Sequence, residues 1–250
     1  MALRYTDSHC HADFAALAAQ AAEISEMSVC VDACFEREWA GLSKFDMYPV
    51  KKAYGLHPDL RLSNPGDAGG AEGELKSKLA ALEAFLPGAD AVGETGLDAG
   101  VGRRIPMELQ RSAFLAQLGL ADKYRLPVVV HCVGAWGEVF EILRDWRAAA
   151  AASGRSGGKF MLHAASCSPE MVGRFCGLGA RFSFGARELL SKRGARAAAA
   201  APREAILVES DSVPSRGEIG KIFELLAKIR GESARGLSEA AFENYSDFFR

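Results

Sequence analysis

Pro127-Val128-Val129-Val130-His131 is a short apolar run closed by a single polar side chain. Three consecutive β-branched residues leave no alternation between an inner and an outer face. That pattern marks a strand buried on both sides, as in a parallel sheet covered by helices. The same form recurs in Asp90-Ala91-Val92-Gly93-Glu94, in Phe160-Met161-Leu162-His163 and in Ala205-Ile206-Leu207-Val208-Glu209-Ser210-Asp211. Counting outward from these runs, strands are expected over 4–9, 29–34, 50–57, 90–94, 127–132, 159–163, 181–185 and 205–211.

Helical patterns lie between the runs. Leu75, Leu79, Leu82 and Leu86 recur at helical spacing, as do Val139, Phe140, Leu143 and Trp146, and Ile222, Leu225, Leu226 and Ile229. Ser168-Pro169 has the form of an N-cap followed by a first-turn proline. The alanine runs 148–152 and 197–201 read as helix passing into surface loop. A Gly/Pro-rich loop is expected over 64–73, a tight turn over 93–98 and a flexible turn over 153–158. Eight strands alternating with helices predict an α/β fold of the (β/α)8 TIM-barrel type, as one domain over 1–250.

Composition narrows the function. The 250 residues carry a net charge of −2, so no global basic field holds nucleic acid and such binding needs a local patch. The six cysteines form no C-x-x-C pair, which argues against a zinc ribbon or redox motif and for a reducing compartment. No run approaches membrane-spanning length and nothing near the first residues reads as a signal peptide, so a cytoplasmic protein with no membrane partner is expected.

All five histidines, His9, His11, His57, His131 and His163, fall at or just beyond the C-terminal end of an expected strand. Barrel active sites are built at that rim, and a histidine that only fills space has no reason to prefer it. His9 and His11, two apart on a strand, face one side at a separation of roughly 6.5–7 Å and can converge on one ion where the strand bends. The competing account is a pair of polar residues in an exposed turn. Glu94 closes its run where a carboxylate is costly to bury without a cation. Its two oxygens suit it to bridge two ions, with a salt bridge to lysine or arginine as the plainer account.

His131 and His163 occupy equivalent places, each closing an apolar run, and read together as ligands rather than core histidines. Asp211 ends the last run, where an aspartate can bind an ion and accept the proton of a water. Asp211 and Glu94 are therefore the candidate catalytic residues. Glu209 and Asp7 share the periodicity of these ligands and are candidates for orienting them. His57, fixed by Pro58, is a candidate substrate contact. Asp98 reads as a loop-ordering residue, and Cys10 and Cys132 as packing. Arg103, Arg104, Arg187, Lys192 and Arg193 are candidate phosphate contacts, against the reading of a solvated charged face. The ligand set calls for two divalent metal ions. Zinc, manganese and magnesium are all candidates, and several imidazoles favour the first two.

Taken in order, Asp7-Ser8-His9-Cys10-His11-Ala12-Asp13, Gly55-Leu56-His57-Pro58, Gly93-Glu94-Thr95-Gly96-Leu97-Asp98, Pro127–His131, Leu162-His163, Glu209-Ser210-Asp211-Ser212 and Asn244-Tyr245-Ser246-Asp247-Phe248-Phe249 resemble the TatD-related deoxyribonucleases, within the amidohydrolase-type barrels. The resemblance spans nearly the whole chain. It implies that His9, His11 and Asp211 hold one ion, that Glu94 bridges, that His131 and His163 hold the second, and that His57 lines the substrate pocket. It also implies phosphodiester cleavage, often 3′-to-5′ on DNA. The rim departs from the family pattern. Ala99-Gly100 stand where an aromatic is usual, Ala164-Ala165-Ser166 replace Phe-Ser-Gly, and Val213-Pro214-Ser215 replace Pro-Tyr-Leu.

The expected activity is a binuclear-metal phosphodiesterase acting on DNA ends or another phosphodiester, from a chain whose favoured state is a monomer. Hydrolysis of a small ester, lactone or amide by the same metals is the alternative, and a non-catalytic metal-binding barrel is a third.

Overall fold

The computed structural model describes residues 3–47, 49–153 and 158–250. Among them are eight strands, β1 (Thr6–His11), β2 (Ser28–Ala33), β3 (Lys51–Tyr54), β4 (Ala91–Asp98), β5 (Val128–Val133), β6 (Phe160–Leu162), β7 (Arg181–Phe184) and β8 (Ile206–Val208). They form one sheet in chain order, parallel where β3 meets β4, β4 meets β5, β6 meets β7 and β7 meets β8. The helices are α1 (Phe14–Ala19), α2 (Ala21–Ile24), α3 (Glu36–Ser43), α4 (Ala68–Glu83), α5 (Met107–Tyr124), α6 (Trp136–Ala152), α7 (Pro169–Cys176), α8 (Ala186–Leu190), α9 (Lys192–Ala200), α10 (Arg216–Arg230) and α11 (Ala234–Phe248). The fold is the (β/α)8 barrel that the alternation of strands and helices predicts. Most of the turn expected over 153–158 falls on 154–157, outside the described residues.

Contacts divide the chain into two compact units. One comprises Met1–Val31, Lys44–Lys51 and Phe160–Arg250, and the other Asp32–Ser43 and Lys52–Lys159. In the first, Phe160, Met161, Leu162, Phe182, Phe184, Leu207 and Val208 are fully buried, which is why these runs carry no polar alternation. Helix α10 buries Ile219, Ile222, Phe223 and Leu226; the face keeps the expected Ile222 and Leu226 but leaves Leu225 and Ile229 half-buried. Ser168 caps α7, its hydroxyl accepting from the Met171 amide at 3.4 Å. The alanine runs lie almost wholly inside α6 and α9.

The second unit corrects two expectations. The loop expected over 64–73 is shorter, because the Asp67 carboxylate accepts from the Gly70 amide at 3.3 Å and starts α4 at Ala68. The turn expected over 93–98 is strand. After a register shift between Val92 and Thr95, residues Thr95–Asp98 pair with Val130–Val133. Gly96 makes this possible: its φ is +147°, and a Cβ there would stand 2.0 Å from the His131 carbonyl oxygen. Two fully buried glutamines of α5 take up backbone groups around the irregular strand. Gln117 accepts from the Leu56 amide at 2.8 Å and donates toward Leu56 O, Thr95 Oγ1 and Ala113 O. Gln110 accepts from the Asp98 amide at 2.8 Å and donates to Asp98 O and Ile105 O.

A buried amide stripped of its partner costs more than the hydrogen bond was worth. Gln117→Leu is therefore expected to lower stability by about 2–4 kcal/mol in urea unfolding, as it orphans the Leu56 amide and carbonyl together. A loss under about 0.5 kcal/mol would contradict this role.

Candidate metal centre

In the first unit the end of β1 runs beside the segment that leaves β8. Asp211 N–H donates to His9 O at 3.2 Å, and His11 N–H to Ser212 O at 2.9 Å. This pairing carries β1 two residues past its expected end and sets the Asp211 carboxylate against both imidazoles. Its Oδ1 lies 3.1 Å from His11 Nε2 and 3.5 Å from His9 Nε2. Asp211 holds φ at +52°, a left-handed conformation that aspartate tolerates better than most residues. Burial alone would raise its pKa, but hydrogen bonds from His11 and His9 outweigh burial and hold the carboxyl well below the usual range.

Neighbouring groups brace these side chains. Asp7 Oδ1 accepts from the amides of Ser210 at 3.0 Å and His9 at 3.4 Å. Burial pushes the Asp7 carboxyl up to about 7. The His163 ring lies 4.2 Å from that of His9, centroid to centroid. Its Nδ1 is 3.5 Å from Glu209 Oε1, which also accepts from the Ala164 amide at 2.6 Å. Glu209 is fully buried, and its Oε2 has no hydrogen-bond partner among the described residues. Arg187, mostly exposed, donates to Glu188 at 2.9 Å and places its guanidinium 3.9 Å from Asp211 Oδ2.

In the second unit His131 is held between two carboxylates. Its Nδ1 meets Glu94 Oε1, and its Nε2 lies 3.2 Å from Asp98 Oδ2. His57 Nε2 is 3.7 Å from the same Glu94 oxygen. The Asp59 amide donates to His57 Nδ1 at 2.9 Å, so the ring proton sits on Nε2. The Cys34 thiol donates to Glu94 Oε2 at 3.3 Å, and burial pushes its pKa up. Asp98 also orders the loop as expected, with Oδ1 accepting from Gly100 at 2.6 Å and Val101 at 3.2 Å. The hydrogen bond from His131 holds the Asp98 carboxyl below its ordinary range.

Two sets of three donor atoms thus come together, each set within 4.8 Å: His9, His11 and Asp211, and His57, Glu94 and His131. Two imidazoles and one carboxylate in the first set match the donors that borderline divalent ions take, and three protein donors leave coordination positions open. In the second set the Asp59 amide occupies His57 Nδ1, which leaves Glu94 and His131 as its donors. The residues fit a divalent metal. His57, expected at the substrate, stands beside Glu94 and His131. His163, expected beside His131, has His9 and Glu209 as neighbours in its own unit. Arg103 lines a cleft with Ala99, Met107 and Glu138. Arg104 pairs with Asp59 at 3.1 Å, and Lys192 and Arg193 line a groove with Ser168 and Arg196. Two residues were not foreseen as parts of the site, the Cys34 thiol and the Asp98 oxygen that faces His131. Read as strand, Glu94 and Asp98 share a face by period two, a signal that a turn over 93–98 hides.

Residues 6–250 match the family of TatD related DNases. The chain belongs to that family. A 3′-5′ ssDNA/RNA exonuclease TatD from Rahnella sp. is 33% identical over 42% of this chain and 41% of its own length. This chain therefore spans less than half of that relative in the match. The uncharacterized metal-dependent hydrolase YjjV of Escherichia coli K12 is 27% identical over 100% of this chain and 99% of its own. The crystal structure of YjjV, a TatD homolog, superposes with a TM-score of 0.77 at 24% identity, covering 100% of this chain and 99% of that one. That likeness establishes the barrel for this TatD-family chain. Among the described residues no helix is long and apolar enough to cross a membrane.

Partners that orient a ligand imidazole commonly change metal affinity by about 10–100-fold. Asp98→Asn keeps the oxygen that serves Gly100 and Val101 but loses the charge facing His131. Metal titration is expected to show affinity for one equivalent falling by about that factor, with the melting temperature of the metal-free protein little changed. Unaltered affinity would remove Asp98 from the site.

Proposed function

We propose that this TatD-family chain is a phosphodiesterase with a binuclear metal centre that trims single-stranded DNA ends in the 3′-to-5′ direction. The barrel of residues 1–250 works as one domain in this reading, most simply as a monomer. The observation that carries it is the Asp211 carboxylate, held ionised between His9 and His11 and 3.9 Å from Arg187. His9, His11 and Asp211 would hold one ion, His131 and His163 the second, and Glu94 would bridge them. Zinc, manganese and magnesium are the candidate ions. Bound there, divalent ions lower the pKa of a water and neutralise charge on a phosphate.

The remaining work falls to side chains. Asp211, ionised at neutral pH, accepts the proton released by the attacking water. Arg187, mostly exposed, can pair with a phosphate oxygen, and His57, with its proton on Nε2, can donate to a non-bridging oxygen. Arg103 takes a more distant phosphate. The Rahnella relative's name, a 3′-5′ ssDNA/RNA exonuclease, supports this choice of substrate.

One observation favours a second reading. The cleft beside Asp98 is walled by Ala99, Gly102, Gly134 and Gly137, which leaves room for a compact ester or amide to approach.

Elemental analysis of protein purified without chelators is expected to give about two equivalents of divalent metal per chain. Asp211→Ala is expected to lower kcat on a single-stranded oligonucleotide by roughly 10³-fold or more, with the fold retained by circular dichroism. Turnover on ester and amide panels but on no phosphodiester would transfer the activity to the second reading.

A further inference from the structure

A pocket on the second unit contains an arrangement that the metal site does not use. Phe35 lies two residues past the end of β2 and is half-buried. The Glu38 carboxylate fixes its backbone, accepting from the amides of Cys34 at 2.9 Å and Phe35 at 3.1 Å. The Arg61 guanidinium lies over the Phe35 ring at 4.4 Å, and that of Arg37 stands 5.3 Å from the ring centre. The ring is also 5.9 Å from that of His57. Glu36, Leu56, Leu60 and Lys78 also line the pocket.

The polar contacts of this pocket lead back to the metal site. The Asp59 amide donates to His57 Nδ1, and the Asp59 carboxylate lies 3.8 Å from Arg61 Nε. Arg61 holds φ at +47°, a conformation unfavourable to a long side chain and one that places the guanidinium over the ring. The Arg61 side chain is about half exposed, and a guanidinium held on a ring where water can reach it is weakly bound. A flat aromatic ligand takes that face readily, and the released cation is then free for an anion. A flat ring beside a phosphate is the chemistry of a nucleotide.

Resting on the phosphodiesterase reading above, we propose that Phe35 is the stacking platform for the 3′-terminal nucleobase. Arg61 gives up the ring to that base and pairs, with Arg37, to the neighbouring phosphates. Stacking on a π-face is indifferent to sequence, so the subsite selects for an unpaired end rather than for a particular base.

The test is equilibrium binding by fluorescence anisotropy to metal-loaded protein, with a cleavage-resistant phosphorothioate single strand and the same strand ending in a 3′ abasic residue. Wild-type protein is expected to bind the intact end roughly tenfold more tightly than the abasic end. Phe35→Leu is expected to weaken binding of the intact strand by about that factor while leaving the abasic strand within about twofold, and Phe35→Trp to bind the intact strand at least as well as wild type. Equal wild-type binding of the two strands overturns the assignment, as does an equal loss on both strands in Phe35→Leu. Failure of the hydrolase reading appears separately, as wild-type protein that cleaves no unmodified phosphodiester.

Discussion

Asp211 and two imidazoles share one small volume, held there by backbone pairing as well as by hydrogen bonds between the side chains. Asp211 is placed by its own amide, which donates to His9 O, and His11 by its amide, which donates to Ser212 O. A carboxylate in that position is desolvated, and only cationic or proton-donating neighbours keep it ionised. The protein thus carries a preformed set of donors whose deprotonated state suits a cation. Any ion bound only by the folded chain adds to its stability by mass action. The left-handed backbone at Asp211 is consistent with conformational cost accepted where ligand geometry demands it.

The second unit meets the same requirement differently. β4 is irregular just where Glu94 leaves it, so the sheet alone does not satisfy its backbone. Gln110 and Gln117, both fully buried, make up the difference from the neighbouring helix. They hold Thr95 and Asp98, and Gly96 lets β4 approach the His131 carbonyl. Glu94, His131 and Asp98 are fixed in this way before any ion arrives. A preorganised set of this kind spends less on ordering when it binds.

Much of this was legible in the sequence. Apolar runs closed by one polar residue located β4, β5, β6 and β8, because a doubly buried strand tolerates few polar residues until it reaches the rim, and the alternation of strand and helix patterns located the other four. Histidines at those ends pointed to side chains that the fold brings together in the two donor sets. Other features were hidden for physical reasons. The continuation of β4 through Gly96 depends on a register shift and on glutamines about fifteen residues or more downstream, which no local pattern encodes. The start of α4 at Ala68 turned on the Asp67 cap outweighing three helical glycines. The neighbours of His57, and the stacking of Arg61 on Phe35, are products of tertiary packing between loops. Family likeness gave the fold and the ligand types. It said nothing of the Cys34 thiol against Glu94.

The central claim is that His9, His11 and Asp211 form a cation site. Anomalous diffraction from crystals grown with manganese or zinc tests it directly. The account predicts a peak bonded to His9 Nε2, His11 Nε2 and an Asp211 oxygen, at roughly 2.0–2.2 Å from each for zinc. Crystals of active protein with no peak at these three atoms, or with the ion held only elsewhere, would contradict it.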